Sequence, residues 1–354
     1  MKIGIMSMQR IKNYGSFWQA FGLKKMIEEL GNDVIFVDYH VGEPVEKINL
    51  DTVNIISKKD KIRKKIIGGI FEFKYRFIWL PKYLNVSLKK QYGDNIDKLV
   101  IGSDEVFNCT QSGKKVGYSK ELFGYGKKNV ITYAASFGFT THDRLKKYNI
   151  DKEVGKMLKK IKSISVRDQN SYDIVTELTG TSPMIHLDPV LVSNVNKINI
   201  PKVNLKDYII IYSYSGRITD DEKKEIIEFA KLKNKKIISL GIYNSFADKN
   251  IVASPFKVLS YFKNADYIIT DTFHGSIFSI IFEKKFVTLV RDTNRQKLSD
   301  LLNRLGLKNR TLEKIKKLNE KIDEPINYSS VNKIIENERN KSIEYLKDNL
   351  QRVK

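Results

Sequence analysis

Short β-branched runs alternate with amphipathic segments along most of the chain. Lys2–Ser7 is an apolar run of strand length, and Phe17–Leu30 follows with Ala20, Leu23, Ile27 and Leu30 on one helical face. Gly31 stops that helix, and Val34–Val37 reads as the next strand. A strand-helix-strand unit in roughly 38 residues predicts a parallel sheet with a right-handed crossover. The alternation continues with strands at Leu99–Ile101, Val130–Ala135, Ser163–Val166 and Met184–Leu187, and with helices at Arg144–Lys160 and Ser171–Leu178. Asn194–Leu205 is polar, contains Pro201 and reads as a linker. A second set follows: strands Tyr208–Tyr212, Lys236–Leu240, Tyr267–Thr270 and Phe286–Val290, with helices Asp220–Lys231, Lys257–Phe262, Ser276–Phe282 and Arg295–Leu305. A long charged helix from about Ser330 to Lys354 closes the chain, and a tail of this kind is expected to pack back on the first domain. The pattern predicts an α/β protein with two parallel-sheet domains facing across a cleft, residues 1–193 and 206–325, joined by a linker at 194–205 and followed by a C-terminal helix at 326–354.

Residues 41–95 break the pattern. Lys58–Lys65 is basic, and Ile66–Leu80 is aromatic and apolar, punctuated by Lys74 and Arg76. The preferred reading is a core-facing helix with a basic outer side. The other reading is an interfacial helix lying on an anionic membrane.

The most polar turn between two apolar elements is Asp271-Thr-Phe-His-Gly-Ser276. In an open α/β sheet such a turn lies at the carboxyl edge of the strands, where ligands bind. Ser276 is expected to cap the following helix, whose N–H groups would attract a phosphate, and Gly275 to let the backbone approach a ligand. His274 in this turn is either a plug for a buried loop or a working side chain. The crowding of Asp271, Thr272, His274 and Ser276 favours the second, because polar groups placed there need partners. Further loops fall at strand ends: Asn13-Tyr14-Gly15-Ser16, Gly102-Ser103-Asp104-Glu105, Ser136-Phe137-Gly138, Arg167-Asp168 and Tyr214–Arg217. None is a dinucleotide fingerprint, since G-x-G-x-x-G is missing.

Composition narrows the partners. Of the 354 residues, 63 are Lys or Arg and 41 Asp or Glu, a net charge of +22. That excess suits anionic partners or a merely solvated surface, and no nucleic-acid-binding motif accompanies it. The lone Cys109 excludes an internal disulfide and fits a reducing compartment, and the four histidines show no zinc spacing. The N-terminus reads as a strand rather than a signal peptide, and no apolar run of membrane-spanning length occurs.

The ordered segments Asn13-Tyr14-Gly15 with Gln19-Ala20, Val100-Ile-Gly-Ser-Asp104 with Val106 and Asn108, Tyr133-Ala-Ala-Ser-Phe-Gly138, Ser165-Val-Arg-Asp168, Leu187-Asp-Pro-Val190 and Thr270-Asp-Thr-Phe-His-Gly-Ser276 resemble the polysaccharide pyruvyl transferase family. They run from residue 3 to about residue 310 in the family's order, and the ordered set is more specific than any one of them. The resemblance implies a GT-B-like pair of Rossmann-like domains. It implies transfer of a pyruvyl group from phosphoenolpyruvate to two hydroxyls of one sugar, with loss of phosphate and no cofactor or metal. The acceptor would be a precursor of a capsule or exopolysaccharide, often lipid-linked, and the enzyme cytoplasmic or at the inner face of the membrane. In this frame His274 is the expected proton donor to C3 of the donor, Arg167 grips an oxyanion, and Asp104 or Asp271 serves as base. Asn13, Tyr14, Gly15, Ser103, Gly275 and Ser276 would line the substrates, and residues 41–95 would build the acceptor pocket. Some relatives carry an arginine two residues before the histidine; Thr272 stands there here, so a second cation must come from Arg217, Arg291 or Arg295, of which Arg295 fits the family pattern best. The rival readings are a GT-B glycosyltransferase using a nucleotide sugar, and a basic module binding nucleic acid or acidic membrane.

Overall fold

The computed structural model describes residues 1–46, 57–93, 95–111, 115–292 and 294–351. Two compact units emerge. The first comprises Met1–Leu50, Leu80–Val195 and Lys333–Lys354, the second Asp51–Trp79 and Asn196–Asn332. Residues 47–56, part of the stretch expected to be irregular, and 352–354, the end of the expected last helix, lie outside the described residues.

The first unit begins β1 (Lys2–Met6), α1 (Tyr14–Glu29), β2 (Asp33–Phe36). After α2 (Lys58–Lys74), which clusters with the second unit, it continues β3 (Lys98–Asp104), β4 (Val130–Ala135), α3 (His142–Lys147), α4 (Asp151–Leu158), β5 (Ser165–Val166), α5 (Gln169–Thr179), β6 (Met184–Ile185) and α6 (Pro189–Val192). Its sheet runs β2-β1-β3-β4-β5-β6, all parallel. Parallel strands buried on both faces read as continuous apolar runs rather than alternating ones, and Leu99, Val100 and Ile101 of β3 are all buried for that reason. The single helix expected over 144–160 is two helices. Asn149 sits at φ 55°, a left-handed conformation that asparagine tolerates and that ends α3 one turn before α4 begins.

The second unit follows with β7 (Tyr208–Tyr212), α7 (Asp220–Leu232), β8 (Lys236–Leu240), β9 (Lys249–Ile251), α8 (Pro255–Asn264), β10 (Tyr267–Thr270), α9 (Phe273–Ile281), β11 (Lys285–Leu289), α10 (Arg295–Arg304), β12 (Thr311–Leu312) and α11 (Leu318–Asp323). Its sheet order is β12-β11-β10-β7-β8-β9, again parallel throughout. Ile209, Ile211, Ile269 and Val287 from its central strands meet Ile226 and Phe229 of α7 in one apolar cluster. Finally α12 (Tyr328–Leu350) starts in the second unit and ends in the first. Tyr328 donates to the carbonyl of Lys284 at 2.6 Å, within the second unit. Tyr345 donates to the carbonyl of Thr132 at 2.8 Å, within the first.

Strand order reverses once in each sheet: between β1 and β3 in the first unit, and between β7 and β10 in the second. At such a point the loops leaving the two strands turn in opposite directions and open a crevice at the carboxyl edge. Both crevices fall at loops whose sequence marks them as ligand positions.

The stretch around residues 58–80 corrects the preferred reading. A helix begins at Lys58, capped by Ser57, whose Oγ accepts from Asp60 N–H at 3.1 Å. It passes at Tyr75 into a wider π-helical segment that ends at Leu84. Phe71, Tyr75 and Trp79 are buried as expected, but Ile62, Ile66, Ile70, Phe73, Phe77 and Ile78 face solvent. The apolar residues are too many for one buried stripe, so half of them lie outside. Sequence order places the segment in the N-terminal domain, yet its part up to Trp79 clusters with the second unit, where Tyr243 donates to Asp60 at 2.5 Å, and Leu80 onwards with the first.

Candidate active site

In the second unit, β10 delivers Thr270 and Asp271 to the crevice and α9 starts two residues later. Thr272, not Ser276, is the N-cap: its Oγ1 accepts from Gly275 N–H at 2.9 Å. Ser276 is already inside the helix, donating to Thr272 O at 3.2 Å and lying 2.8 Å from Thr288 Oγ1. His274 is therefore in the first helical turn rather than in a loop. It is 9% exposed, with Phe273 edge-on at 5.4 Å and Phe278 at 6.1 Å between ring centres. Gly275 has a packing duty of its own. A Cβ there would stand 2.0 Å from Thr270 Oγ1, which is held by its bond to Tyr212 O at 2.5 Å. The glycine lets the helix start sit directly on the strand end, which fixes where His274 emerges.

Asp271 is fully buried. Its Oδ1 accepts from Tyr214 N–H at 3.1 Å, tying β10 to the loop after β7. Its Oδ2 has no hydrogen-bond partner among the described residues, and Arg291 Nε stands 3.7 Å away. Burial pushes the Asp271 carboxyl above the usual carboxylate range, against the opposing pull of Arg217, the Tyr214 amide and Arg291. Ser213 Oγ, at the end of β7, is likewise buried without a partner among the described residues. Buried polar atoms are almost always paired, so two orphans at one crevice point to a polar ligand that completes them.

Arg217 lies over the Tyr214 ring, its guanidinium carbon 4.6 Å from the ring centre. Arg291 is engaged bidentately by Glu222, at 2.6 and 2.8 Å. Burial would lower the Arg291 pKa, but Glu222 and Asp271 more than offset this. Arg295 is elsewhere: half exposed at the start of α10, it faces Asp292 and Glu313 at 3.6 and 3.5 Å. Sequence reasoning overlooked Ser213, Glu222 and Asn294, whose Nδ2 donates to Asp271 O at 2.6 Å. Ser213 had a readable signal, since it directly follows a strand. The Glu222–Arg291 pair joins residues 69 positions apart and had none.

The first unit builds its own crevice. Asn13 caps α1, accepting from Gly15 N–H at 2.7 Å, so Tyr14, Gly15 and Ser16 form the first helical turn and are buried. Ser16 Oγ donates to Asp104 Oδ2 at 2.7 Å, across the reversal between β1 and β3. Asp104 holds φ 95° and is half-buried. Ser103 Oγ, beside it, is buried with no partner among the described residues. Arg167, after β5, is 4% exposed and donates to Asp188 Oδ2 at 3.0 Å. Gln19 Nε2 donates to the same oxygen at 2.6 Å. Burial alone would lower the Arg167 pKa, but Asp188 and then Asp104, Asp168 and Glu105 hold the guanidinium firmly charged. The six motif segments thus fall into two groups, one at each crevice or just beneath it. Among the described residues no three His, Cys, Asp or Glu side chains converge as a metal site.

The raised Asp271 carboxyl makes a stability prediction. A carboxyl whose pKa is higher folded than unfolded binds more protons in the native state, so stability falls as pH rises from about 4 towards the folded value. Above that value a constant penalty remains. Asp271→Asn keeps an oxygen for Tyr214 N–H and carries no charge. Its melting temperature is expected to exceed the parent's at pH 7, by about 2–4 °C for each kcal/mol relieved, and to match it below pH 4. Equal melting temperatures at both pH values would mean that Asp271 is comfortably ionised.

The comparisons with known proteins agree with this architecture. A crystal structure described as the glycotransferase of kitacinnamycin superposes with a TM-score of 0.51 at 11% identity, covering 99% of each chain. The UDP-GlcNAc 2-epimerase from Methanocaldococcus jannaschii gives a TM-score of 0.49 at 13% identity, over 92% of this chain and 93% of that one. At these identities the first likeness shows a GT-B-like fold and nothing about substrate. A search of curated proteins returned no match. The profile of the polysaccharide pyruvyl transferases matches residues 13–293, a span that begins at the α1 cap, ends beyond β11 and includes both crevices. By that match the chain belongs to the polysaccharide pyruvyl transferase family.

Proposed function

We propose that the protein transfers a pyruvyl group from phosphoenolpyruvate to two hydroxyls of one sugar in a cell-surface polysaccharide precursor, closing a cyclic ketal. The observation that carries this reading is the β7/β10 crevice of a family member. There a histidine on the first turn of a buried helix stands three residues after an aspartate whose buried carboxylate oxygen lacks a partner among the described residues.

The chemistry assigns the parts. C3 of the enol takes a proton, C2 becomes electrophilic, and a first sugar hydroxyl adds to it. Phosphate then leaves and the second hydroxyl closes the ring. Of the two hydroxyl protons, one replaces the proton given to C3 and the other departs with phosphate. His274 supplies the C3 proton. Asp271, with its raised pKa, is the better suited of the two candidate bases, and Asp104 is the other. Arg167 binds a donor oxyanion. Arg217, half-buried and close enough to act on Asp271, fills the second cationic role in place of Arg295, which is exposed and faces two carboxylates. Phosphoenolpyruvate is a cytoplasmic metabolite, so the reading puts the enzyme in the cytoplasm, with a lipid-linked acceptor reached at the inner face of the membrane.

The test is phosphate release from phosphoenolpyruvate with and without a library of lipid-linked and aryl-galactoside acceptors. The expected product gains about 70 Da, pyruvate less water, and phosphate release depends on the acceptor. If nucleotide sugars rather than phosphoenolpyruvate raise the melting temperature, the chain is a glycosyltransferase on the same fold.

A further inference from the structure

We infer that the outer face of α2 and the turn that follows it is a docking surface for an anionic lipid bilayer. The inference stands apart from the transferase reading, because it rests on a helix that carries none of the proposed catalytic groups.

The inner face of this helix is fully occupied. Phe71, Tyr75 and Trp79 are buried, with ring centres 5.6 to 6.4 Å apart. The N-terminal end is fixed to the second unit by the bond from Tyr243 to Asp60. The helix is therefore anchored on one side and not waiting to turn over.

The outer face is apolar. Ile62, Ile66, Ile70, Phe73, Phe77 and Ile78 are 42% to 60% exposed. At 100° per residue the first four fall within about 80° of the helix circumference, so they form one stripe rather than scattered positions. Phe73 and Phe77 lie side by side, ring centres 5.2 Å apart. Single exposed apolar residues need no explanation, but a contiguous stripe of this size marks a partner.

Charge decides which partner. Between Ser57 and Trp79 there are eight Lys and Arg against two acids, Asp60 and Glu72. Neither acid is exposed, and Asp60 is tied to Tyr243. Lys58, Lys65 and Arg76 flank the stripe on one side, Arg63 and Lys74 on the other. The Arg76 guanidinium lies 5.7 Å from the Phe77 ring centre. A nucleic acid would use the cations but leave six large apolar side chains in water. A partner helix would cover the apolar stripe but gain little from cations on both flanks. An anionic bilayer meets both demands: isoleucine and phenylalanine enter the acyl boundary while long basic side chains reach the phosphate level. No described helix is long and apolar enough to cross a membrane, so the contact is peripheral.

The experiment is co-sedimentation of the full chain with vesicles of phosphatidylglycerol and phosphatidylethanolamine, against pure phosphatidylcholine, at two salt concentrations. The parent is expected to bind the anionic vesicles, more weakly as salt rises, and to leave phosphatidylcholine in solution. Lys58→Gln and Lys65→Gln should each weaken binding about fivefold, as expected for one basic residue at an anionic surface. Ile66→Glu/Phe73→Glu should abolish binding while keeping the parent's melting temperature, because neither side chain is buried. Failure of the parent to bind anionic vesicles overturns the inference. So does binding that the Ile66→Glu/Phe73→Glu variant retains. A parent that is dimeric in solution, becomes monomeric with that variant and ignores vesicles would assign the face to a second copy of the chain. Phosphoenolpyruvate turnover on a soluble acceptor is measured in parallel, so loss of vesicle binding is never mistaken for loss of the catalytic reading.

Discussion

Replacing His274 with alanine is expected to remove nearly all phosphate release while leaving the fold and donor binding close to the parent's. The expected loss is about 10²- to 10⁴-fold in kcat, the usual contribution of a positioned general acid. The fold should survive because the elements that set the helix start do not include the imidazole. Thr272 caps α9 through Gly275 N–H, and Ser276 and Ser279 are bonded to the backbone and to Thr288. The missing ring leaves space beside Phe273 and Phe278. His274→Gln fills most of that space and cannot deliver a proton, so it separates packing from chemistry. Both variants should bind phosphoenolpyruvate, read as a donor-dependent rise in melting temperature. If alanine keeps a tenth or more of the parent's turnover, His274 is not the acid. If both variants lose donor binding as well as turnover, its role is in holding the donor.

The sequence showed the framework better than its details, for a physical reason. Parallel strands buried on both faces are continuous apolar runs, so β1, β3, β7, β8, β10 and β11 stand out even without an alternating pattern. The edge strands β9 and β12 do not, since three and two residues carry no period. Helix starts slipped where two polar residues competed for one cap. Thr272 and Ser276 are both good caps, and the choice fell to Thr272 because Thr270 steadies it from the strand end, 3.0 Å away. The site loops were legible because each follows a strand. Their partners were not: the Arg291–Glu222 and Arg167–Asp188 pairs are made by the topology, and no local spacing records them. The α2 face was misjudged because burial of one apolar stripe was extended to all the apolar residues. Only the structure shows that Phe71 and Tyr75 fill the inner side and leave the isoleucines outside.

The pairing of Arg167 with Asp188 changes what substitution of this arginine should do. From sequence, Arg167→Ala would be expected mainly to weaken donor binding. In the structure both partners are buried, and alanine would leave the Asp188 carboxylate inside the first unit without its cation, held by neutral donors that include Gln19 and the Val190 amide. Breaking a buried pair by removing one member costs about 3–5 kcal/mol, on the order of 10 °C in melting temperature for a domain of this size. Arg167→Ala is therefore expected to be destabilised first and inactive second, and its turnover alone would say little. The informative variant removes both charges. Arg167→Ala/Asp188→Asn leaves no uncompensated carboxylate, and Gln19 can still donate to the new amide oxygen, so much of the lost stability should return. Donor binding should not return with it if Arg167 holds the donor as proposed, because that cation is still absent. Thermal melts with and without phosphoenolpyruvate read both quantities on the same samples. Recovery of stability together with parental donor binding would mean that Arg167 only neutralises Asp188, and the donor's anionic groups would then have to be held by Arg217 and the first turn of α9.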